Sequence, residues 1–361
     1  MIKSIVRAIR GDPPPSPATK RINLALQGGG AYGAFSWGVI DHILEDGRLE
    51  IEGITGASAG AVNAVLLADG LARGGRDEAR KRLADFWRAV SMNSGLPELQ
   101  RKAMDRLFSF LPLESSPLGF WVKAVAQYLS PYDFNPLNIN PLKDLLGRFV
   151  DFDAIRKAAT PQIFVSATNV HTGRLRVFPH DKITAEAVLA SACLPLLFQA
   201  VEIDGVPYWD GGYLGNPSIF PLFGVTQTED VLLIQINPIA RKTTPTSNRD
   251  IVSRLNEITF NSPLMGELRA IEFVGRLIDQ GKLPRGIGHG KYRRINMHRI
   301  ALDAFAKQPD IGGRFNTDYD FFEMLRTNGK RAARRFLDEH FADIGVRGTI
   351  DLQAEVKAEW A

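Results

Sequence analysis

The chain has 361 residues, of which 45% are hydrophobic and 23% are charged, as in globular proteins with a sizeable core. These values exclude a disordered chain, and the single cysteine, Cys193, excludes an intramolecular disulfide framework. The net charge of +4 favours anionic surfaces only mildly, and the sequence carries neither a nucleic-acid motif nor zinc-ligand spacing, so we expect no nucleic-acid partner and no metal.

The first 20 residues predict a tail and a linker. Residues 1–10 form a short basic and apolar segment that suits contact with a membrane surface, and the proline-rich residues 11–20 predict an extended tether. The segment has no long apolar stretch of a classical signal peptide, and the chain has no run of roughly 20 apolar residues that would span a bilayer. We therefore expect a cytoplasmic protein that contacts membranes only peripherally.

A glycine-rich loop follows the first predicted strand, residues 21–27. Gly28, Gly30 and Gly33 satisfy the G-x-G-x-x-G pattern of dinucleotide-binding loops. Bare backbone N–H groups at a helix N-terminus bind either a pyrophosphate or an oxyanion. The loop alone therefore leaves open a nucleotide-binding oxidoreductase and a hydrolase.

The second strand, residues 51–55, leads into a G-x-S-x-G motif with Ser58 at its centre, between Gly56 and Gly60. Residues 61–68 favour a helix, so we predict Ser58 on a tight strand-to-helix turn that turns its hydroxyl outward. Parallel strands of a βαβ unit end at the same edge of a sheet. We therefore expect the glycine-rich loop and Ser58 to lie side by side.

Regular elements continue to the end of the chain, apart from an apolar, proline-rich insertion at about 92–150. The insertion fits a cap or acyl-binding wall and equally fits plain packing on the core. A predicted strand delivers Asp210 into the sequence Asp210, Gly211, Gly212. The further predicted elements are a helix over residues 76–91, strands over 161–170, 230–238 and 292–300, a long helical pattern that follows a polar break at 242–250 and runs to about 281, and a last helix over about 317–342.

These motifs occur in the order glycine-rich loop, G-x-S-x-G and D-G-G, and together they resemble the patatin-like phospholipase family. The residues ASACLP before the aspartate and GNPS after it support the resemblance, which covers about residues 21–240. It implies an α/β fold of three layers, α/β/α, with a mostly parallel central sheet. We interpret residues 1–20 as the tail and linker, 21–240 as the catalytic core and 241–361 as a helical extension packed on it.

The resemblance implies Ser58 as the nucleophile and Asp210 as its base. The oxyanion would be bound by backbone N–H groups of the loop, at Gly28, Gly29, Gly30 and Ala31. The chain departs from the family pattern at Gln27, where plant members tend to carry Asp, and at Ala31 and Tyr32, where some members carry a basic residue.

The chemistry makes its own demands on these residues. Because aspartate is a weak base near pH 7, we predict that Asp210 is desolvated, which would raise its pKa. A triad is the alternative, since His289 and His298 follow the serine, acid, histidine order of α/β-hydrolases. The early position of Ser58, on only the second strand, favours the dyad. The strand at 161–170, a turn at 171–173 and a second strand at 174–179 form a predicted hairpin. His171 and His180 flank it, and we expect both at the surface.

The leading hypothesis is a serine lipid acyl hydrolase that cleaves carboxylic esters of phospholipids or of other long-chain acyl compounds, without a cofactor. An esterase or depolymerase acting on another ester, such as a storage polyester, is the alternative. A nucleotide-binding oxidoreductase and a catalytically silent scaffold that docks on membranes through the N-terminus are more remote.

Overall fold

The computed structural model describes residues 19–92, 130–241, 243–284, 292–302 and 316–357. The predicted tail at 1–18, most of the apolar insertion at 93–129, and His289 lie outside these ranges. Within them, no helix combines the length and the apolar composition that crossing a bilayer requires.

One mixed sheet of eight strands organises the described part of the chain. The strand order is β5-β6-β3-β2-β1-β7-β8, and β4 also pairs with β3. Pairing is parallel from β3 through β2, β1 and β7 to β8, and β4, β5 and β6 add the antiparallel pairs. The strands are β1 (Lys20–Leu26), β2 (Leu49–Gly56), β3 (Gln162–Asn169), β4 (Arg174–Phe178), β5 (Val201–Ile203), β6 (Val206–Asp210), β7 (Asp230–Gln235) and β8 (Asn296–Ala301).

Helices cover both faces of the sheet, which gives the three-layer α/β/α fold that the resemblance implied. The predicted helices near residues 61–68 and 76–91 are two helical segments that meet at a kink, where Gly75 has non-helical backbone angles, and we label the pair α2. The helices are α1 (Gly33–Asp46), α2 (Ala59–Met92), α3 (Pro131–Phe134), α4 (Pro141–Phe149), α5 (Phe152–Lys157), α6 (Ala185–Ser191), α7 (Asn248–Asp279), α8 (Tyr319–His340) and α9 (Leu352–Lys357).

The core has two halves, one on each face of the sheet, because alternate side chains of a strand point to opposite faces. On β1, Leu24 and Leu26 belong to the half covered by α1, α2 and α8, whereas Ala25 faces the half covered by α7. The long apolar runs predicted as strands are therefore buried on both sides, as expected for parallel strands under two helical layers.

The region after residue 240 is joined closely to the sheet. β8 pairs in parallel with β7, and α8 packs along α1. A Cβ built on Gly38 of α1 would lie 2.0 Å from the carbonyl oxygen of Arg326 in α8, so the two helices approach closely through a bare backbone. The buried carboxylate of Asp41 accepts hydrogen bonds from Arg80 and Arg326, which ties α8 to α1 and α2.

Candidate active site

Ser58 lies on the turn between β2 and α2, as its motif predicts. Its backbone has a φ of 52°, in the left-handed region that non-glycine residues rarely adopt, and its N–H donates to Oγ of Ser191 at 2.9 Å. The turn fits only because Gly60 has no side chain: a Cβ there would lie 2.2 Å from the carbonyl oxygen of Leu26. Strained backbone held in this way is a common feature of functional sites.

Asp210 is the last residue of β6 and is completely buried. Its N–H donates to the carbonyl of Cys193, and its own carbonyl accepts from Oγ1 of Thr168, so the backbone at this position is fixed on both sides. Its Oδ1 accepts from the N–H of Gly212 at 2.7 Å. Oδ2 has no hydrogen bond of ordinary geometry with any described residue.

The strand pairing explains how Asp210 meets Ser58. β2 pairs with β3 up to Gly56 and Val165, and β6 pairs with β3 from Asn169 back to Ala167, where Asp210 is the partner. Because β4 fills one edge of this part of β3, β6 lies along the edge that β2 also uses. β6 therefore runs towards the end of β2 and brings Asp210 to the serine turn.

The electrostatics of Asp210 follow from this position. Burial raises the pKa of the Asp210 carboxyl to about 7, from an ordinary value of 3.8. The N–H of Gly212 and the side chain of Ser58 both lower the pKa and only partly offset the effect of burial. The predicted desolvation is confirmed, and near neutral pH the carboxyl can both accept and release a proton.

The glycine-rich loop lies against the serine turn, as predicted from the βαβ unit. A Cβ on Gly28 would lie 2.6 Å from Cβ of Ser58, so only glycine permits this approach. Gly30–Tyr32 form a single 3-10 turn that leads into α1 at Gly33. The N–H groups of Gly30 and Ala31 come before the first hydrogen bond of this turn, so they have no partner within it.

One member of the predicted oxyanion set is already engaged. The N–H of Gly28 donates to Oδ1 of Asn216 at 2.6 Å. The loop glycines therefore divide: Gly28 forms a contact inside the protein, while Gly30 is exposed.

The two glycines after Asp210 also permit close contacts. A Cβ on Gly211 would lie 2.0 Å from the carbonyl oxygen of Ser166, and one on Gly212 would lie 2.4 Å from the ring of Phe260 in α7. Tyr213 packs on the same ring, with the ring centroids 5.2 Å apart. The helix that begins after residue 240 thus forms part of the wall beside Asp210.

Of the two histidines of the alternative triad, His289 lies outside the described residues and His298 lies away from this site. His298 is completely buried at the other end of the sheet, where its Nε2 lies 2.9 Å from Oδ1 of Asp230, and its Nδ1 lies 3.2 Å from Oγ1 of Thr349. His171 is exposed as predicted. The surface prediction is wrong for His180, which is buried because its ring accepts from the N–H of Ile163 and faces the carbonyl of Ala158.

Cys193 is buried, and burial raises the pKa of its thiol to about 12, so it stays protonated and is no nucleophile. Among the described residues, no group of three or more histidine, cysteine, aspartate or glutamate side chains could hold a metal ion.

The sequence patterns did not predict that several amide side chains gather at this site. Four buried amide side chains lie beneath the glycine-rich loop: Gln27, Asn216, Asn237 and Asn261. Ser191 lies in the ASACLP sequence and Asn216 in the GNPS sequence, but neither sequence pattern predicts what these residues contact. No sequence pattern links Asn237 and Asn261 to the loop, because their proximity arises from strand order and from the path of α7.

Solved structures that resemble the chain share little sequence identity with it. VipD from Legionella pneumophila shares 15% identity at a TM-score of 0.39, with 90% of this chain and 68% of that chain covered. The type III effector protein ExoU shares 15% identity at a TM-score of 0.36, with 90% and 53% covered. The chain thus spans about half the length of that ExoU chain.

The sequence of the chain matches a family model but no individual curated protein. Among proteins with curated descriptions, none matches the chain. A family model described as patatin-like phospholipase matches residues 24–223, more than half of the 361 residues. That match includes the glycine-rich loop, the serine turn and the D-G-G sequence, and the chain belongs to the patatin-like phospholipase family.

Proposed function

We propose that this protein is a serine lipid acyl hydrolase, with Ser58 as nucleophile and Asp210 as the base. The observation that carries the proposal is the side chain of Ser58 against a fully buried carboxyl whose pKa lies near 7, beside a bare glycine loop. A serine hydroxyl becomes a competent nucleophile when a positioned base takes its proton during attack.

The first half of the reaction forms an acyl-enzyme. Oγ of Ser58 attacks the ester carbonyl carbon while its proton passes to the carboxylate of Asp210. The negative charge that develops on the carbonyl oxygen is stabilised by N–H groups of Gly29, Gly30 and Ala31, at the positive end of the turn that leads into α1. As the carbon–oxygen ester bond breaks, Asp210 returns the proton to the leaving alcohol.

The second half releases the acid. Water attacks the acyl-enzyme carbonyl and gives a proton to Asp210, and the intermediate then collapses to the free carboxylic acid. The proton returns to Oγ of Ser58, so the enzyme regains its starting state. No histidine is needed, because burial already gives Asp210 a pKa suited to proton transfer near pH 7.

Family membership and the apolar wall formed by Phe260 and Tyr213 support a long acyl chain as part of the substrate. The decisive experiment measures hydrolysis of chromogenic esters from acetyl to long-chain acyl, and of phospholipid vesicles, without added metal. We expect Ser58→Ala and Asp210→Asn to lower kcat by at least about 10³-fold. The kcat/KM of the wild type should rise with pH through about 7, as Asp210 loses its proton.

Two matched controls come from the chain. Ser36→Ala removes a buried hydroxyl with no hydrogen-bond partner among the described residues. Glu267→Gln neutralises a partly buried carboxyl whose pKa is also raised to about 7 and which accepts from the N–H groups of Ile219 and Phe220. Both should keep their activity. Full activity in Ser58→Ala would contradict the proposal, and activity on short esters alone would point to an esterase of another substrate class.

A further inference from the structure

The amide cluster beneath the glycine-rich loop consists of Gln27, Asn216, Asn237 and Asn261. Three of these side chains are 0% exposed and the fourth is 5% exposed. They come from four separate elements: the end of β1, the segment after Asp210, the end of β7 and helix α7. Buried amides are costly unless hydrogen-bonded, so the contacts they make define what the cluster holds in place.

The cluster holds the peptide groups of Gly28 from both sides. Oδ1 of Asn216 accepts from the N–H of Gly28 at 2.6 Å, and Nδ2 of Asn216 lies 3.4 Å from the Gly28 carbonyl oxygen. Nδ2 of Asn237 donates to the same carbonyl at 2.8 Å. The amide and carbonyl that flank the Cα of Gly28 are therefore both fixed by side chains.

Gln27 forms hydrogen bonds with all three asparagines of the cluster. Its Oε1 accepts from the backbone N–H groups of Ile236 and Asn237, each at 3.0 Å, and from Nδ2 of Asn237 at 3.2 Å. Its Nε2 donates to the carbonyl of Asn216 at 3.3 Å and to Oδ1 of Asn261 at 3.1 Å. The ends of β1 and β7 and the segment after Asp210 are thus linked by one side chain.

We propose that Asn216 and Asn237 are positioning residues that fix the oxyanion loop relative to the nucleophile, an inference that rests on the proposed function. Because Asn216 occupies the N–H of Gly28, that group is a structural contact. Oxyanion binding is left to the N–H groups of Gly29, Gly30 and Ala31. Asn216 follows Asp210 by six residues, so the segment that carries the base also holds the loop.

The neutral character of the cluster is part of its role. All four side chains are amides, so the cluster holds the loop without adding charge and without titrating between pH 4 and 10. A carboxylate at the same depth would oppose the negative charge that develops on the substrate oxygen.

The test compares Asn216→Ala and Asn237→Ala with Asn23→Ala. Asn23 is a matched control: it is buried on β1, the strand that leads to Gln27, but near the opposite end of the sheet, where its Nδ2 donates to Oγ1 of Thr226 at 3.0 Å. Three quantities are measured for each full-length variant: the melting temperature, kcat and KM on the best ester, and deuterium exchange in peptides covering residues 27–33.

We expect Asn216→Ala and Asn237→Ala to lower kcat by about 10- to 100-fold, with KM changed by less than about threefold, because a small displacement of donors affects the transition state most. Exchange in residues 27–33 should become faster. Asn23→Ala should lose a similar amount of thermal stability with neither effect. Asn216→Ala and Asn237→Ala each test the positioning role, so the inference can still be tested if one of them fails to fold.

A kcat that falls no further than in Asn23→Ala would overturn the inference while leaving the proposed function in place. If the wild type hydrolyses no ester, the proposed function fails. The deuterium-exchange data then decide whether the two asparagines hold the loop. Faster exchange in Asn216→Ala but not in Asn23→Ala would then support the loop-holding role by itself. Unchanged exchange would overturn that role as well.

Discussion

Two buried aspartates at opposite ends of the sheet differ in almost every contact. Asp230 begins β7, and its Oδ1 accepts from the imidazole of His298 and from the N–H of Gly345, each at 2.9 Å. Asp210 ends β6, and only its Oδ1 has a hydrogen bond among the described residues, while Oδ2 has none of ordinary geometry.

The difference in contacts gives the two aspartates different roles: Asp230 stabilises the fold, and Asp210 is suited to proton transfer. A buried carboxylate whose partners satisfy it holds elements together: Asp230 joins β7, β8 and the turn after α8. Burial makes the charged form of Asp210 costly, and the contacts with Gly212 and Ser58 only partly offset that cost, which is why the pKa of Asp210 is raised and why the group can take a proton from serine. Variants at the two ends should therefore change different properties.

The largest expected effect is a gain in stability on Asp210→Asn. The folded state raises the Asp210 pKa to about 7 from 3.8, so the wild type loses stability as pH rises from about 4 and carries the full cost above about 7. A neutral Asn avoids this cost, which amounts to about 4 kcal/mol at pH 8 as an upper value. Urea unfolding at pH 4.5 and pH 8 measures it.

Glu267 titrates over the same pH range, but it does so in the wild type and in Asp210→Asn alike. Its contribution therefore cancels in the difference between their unfolding free energies. An Asp210→Asn protein that is less stable than the wild type at pH 8 would show that the carboxylate is stabilised by contacts that its burial does not reveal.

The second effect is a loss of activity on Gly28→Ala. The added Cβ would meet Cβ of Ser58 at 2.6 Å and the carbonyl oxygen of Ala57 at 2.7 Å, so the loop must move away from the nucleophile. We expect kcat/KM on the best ester to fall by about 10²-fold or more.

Gly275→Ala is the matched control, because it lies in helix α7 with no atom within 4 Å of an added Cβ. It should leave activity unchanged and stabilise the protein by up to about 1 kcal/mol. Equal activity in the two variants would mean that the contact between Gly28 and the serine turn does not matter for the reaction.

The third effect concerns the amino end of the sheet and leaves catalysis almost unchanged. Asp230→Ala leaves the imidazole of His298 and the N–H of Gly345 without their acceptor, and we expect a loss of about 3 kcal/mol in unfolding free energy. In the folded fraction, kcat should stay within about twofold of the wild type. A selective loss of kcat with unchanged stability would contradict the division between the two ends and would revive a catalytic role for His298.

Local patterns in the sequence determined the elements of the site. The strand and helix patterns around Ser58 predicted a turn that the structure contains, and the strand before D-G-G delivers Asp210 as expected. These predictions succeed because turn geometry and strand alternation depend on neighbouring residues, and because glycine is needed where backbone segments touch.

The family resemblance implied the layers of the fold, and the apolar strands agree with it, since strands that are buried on both sides lie between two helical layers. The sequence did not reveal that His180 is buried. That outcome depends on a partner strand and on the carbonyl of Ala158, which no local pattern encodes.

Only the tertiary structure decided which groups surround the reacting atoms. β6 runs along the β2 edge of β3, and this pairing brings Asp210 to Ser58 across about 150 residues of chain. The order of strands and the path of α7 bring Gln27, Asn216, Asn237 and Asn261 under one loop. Such contacts join residues far apart in the sequence, so their physical basis, a buried donor that must meet an acceptor, exists only once the chain has folded.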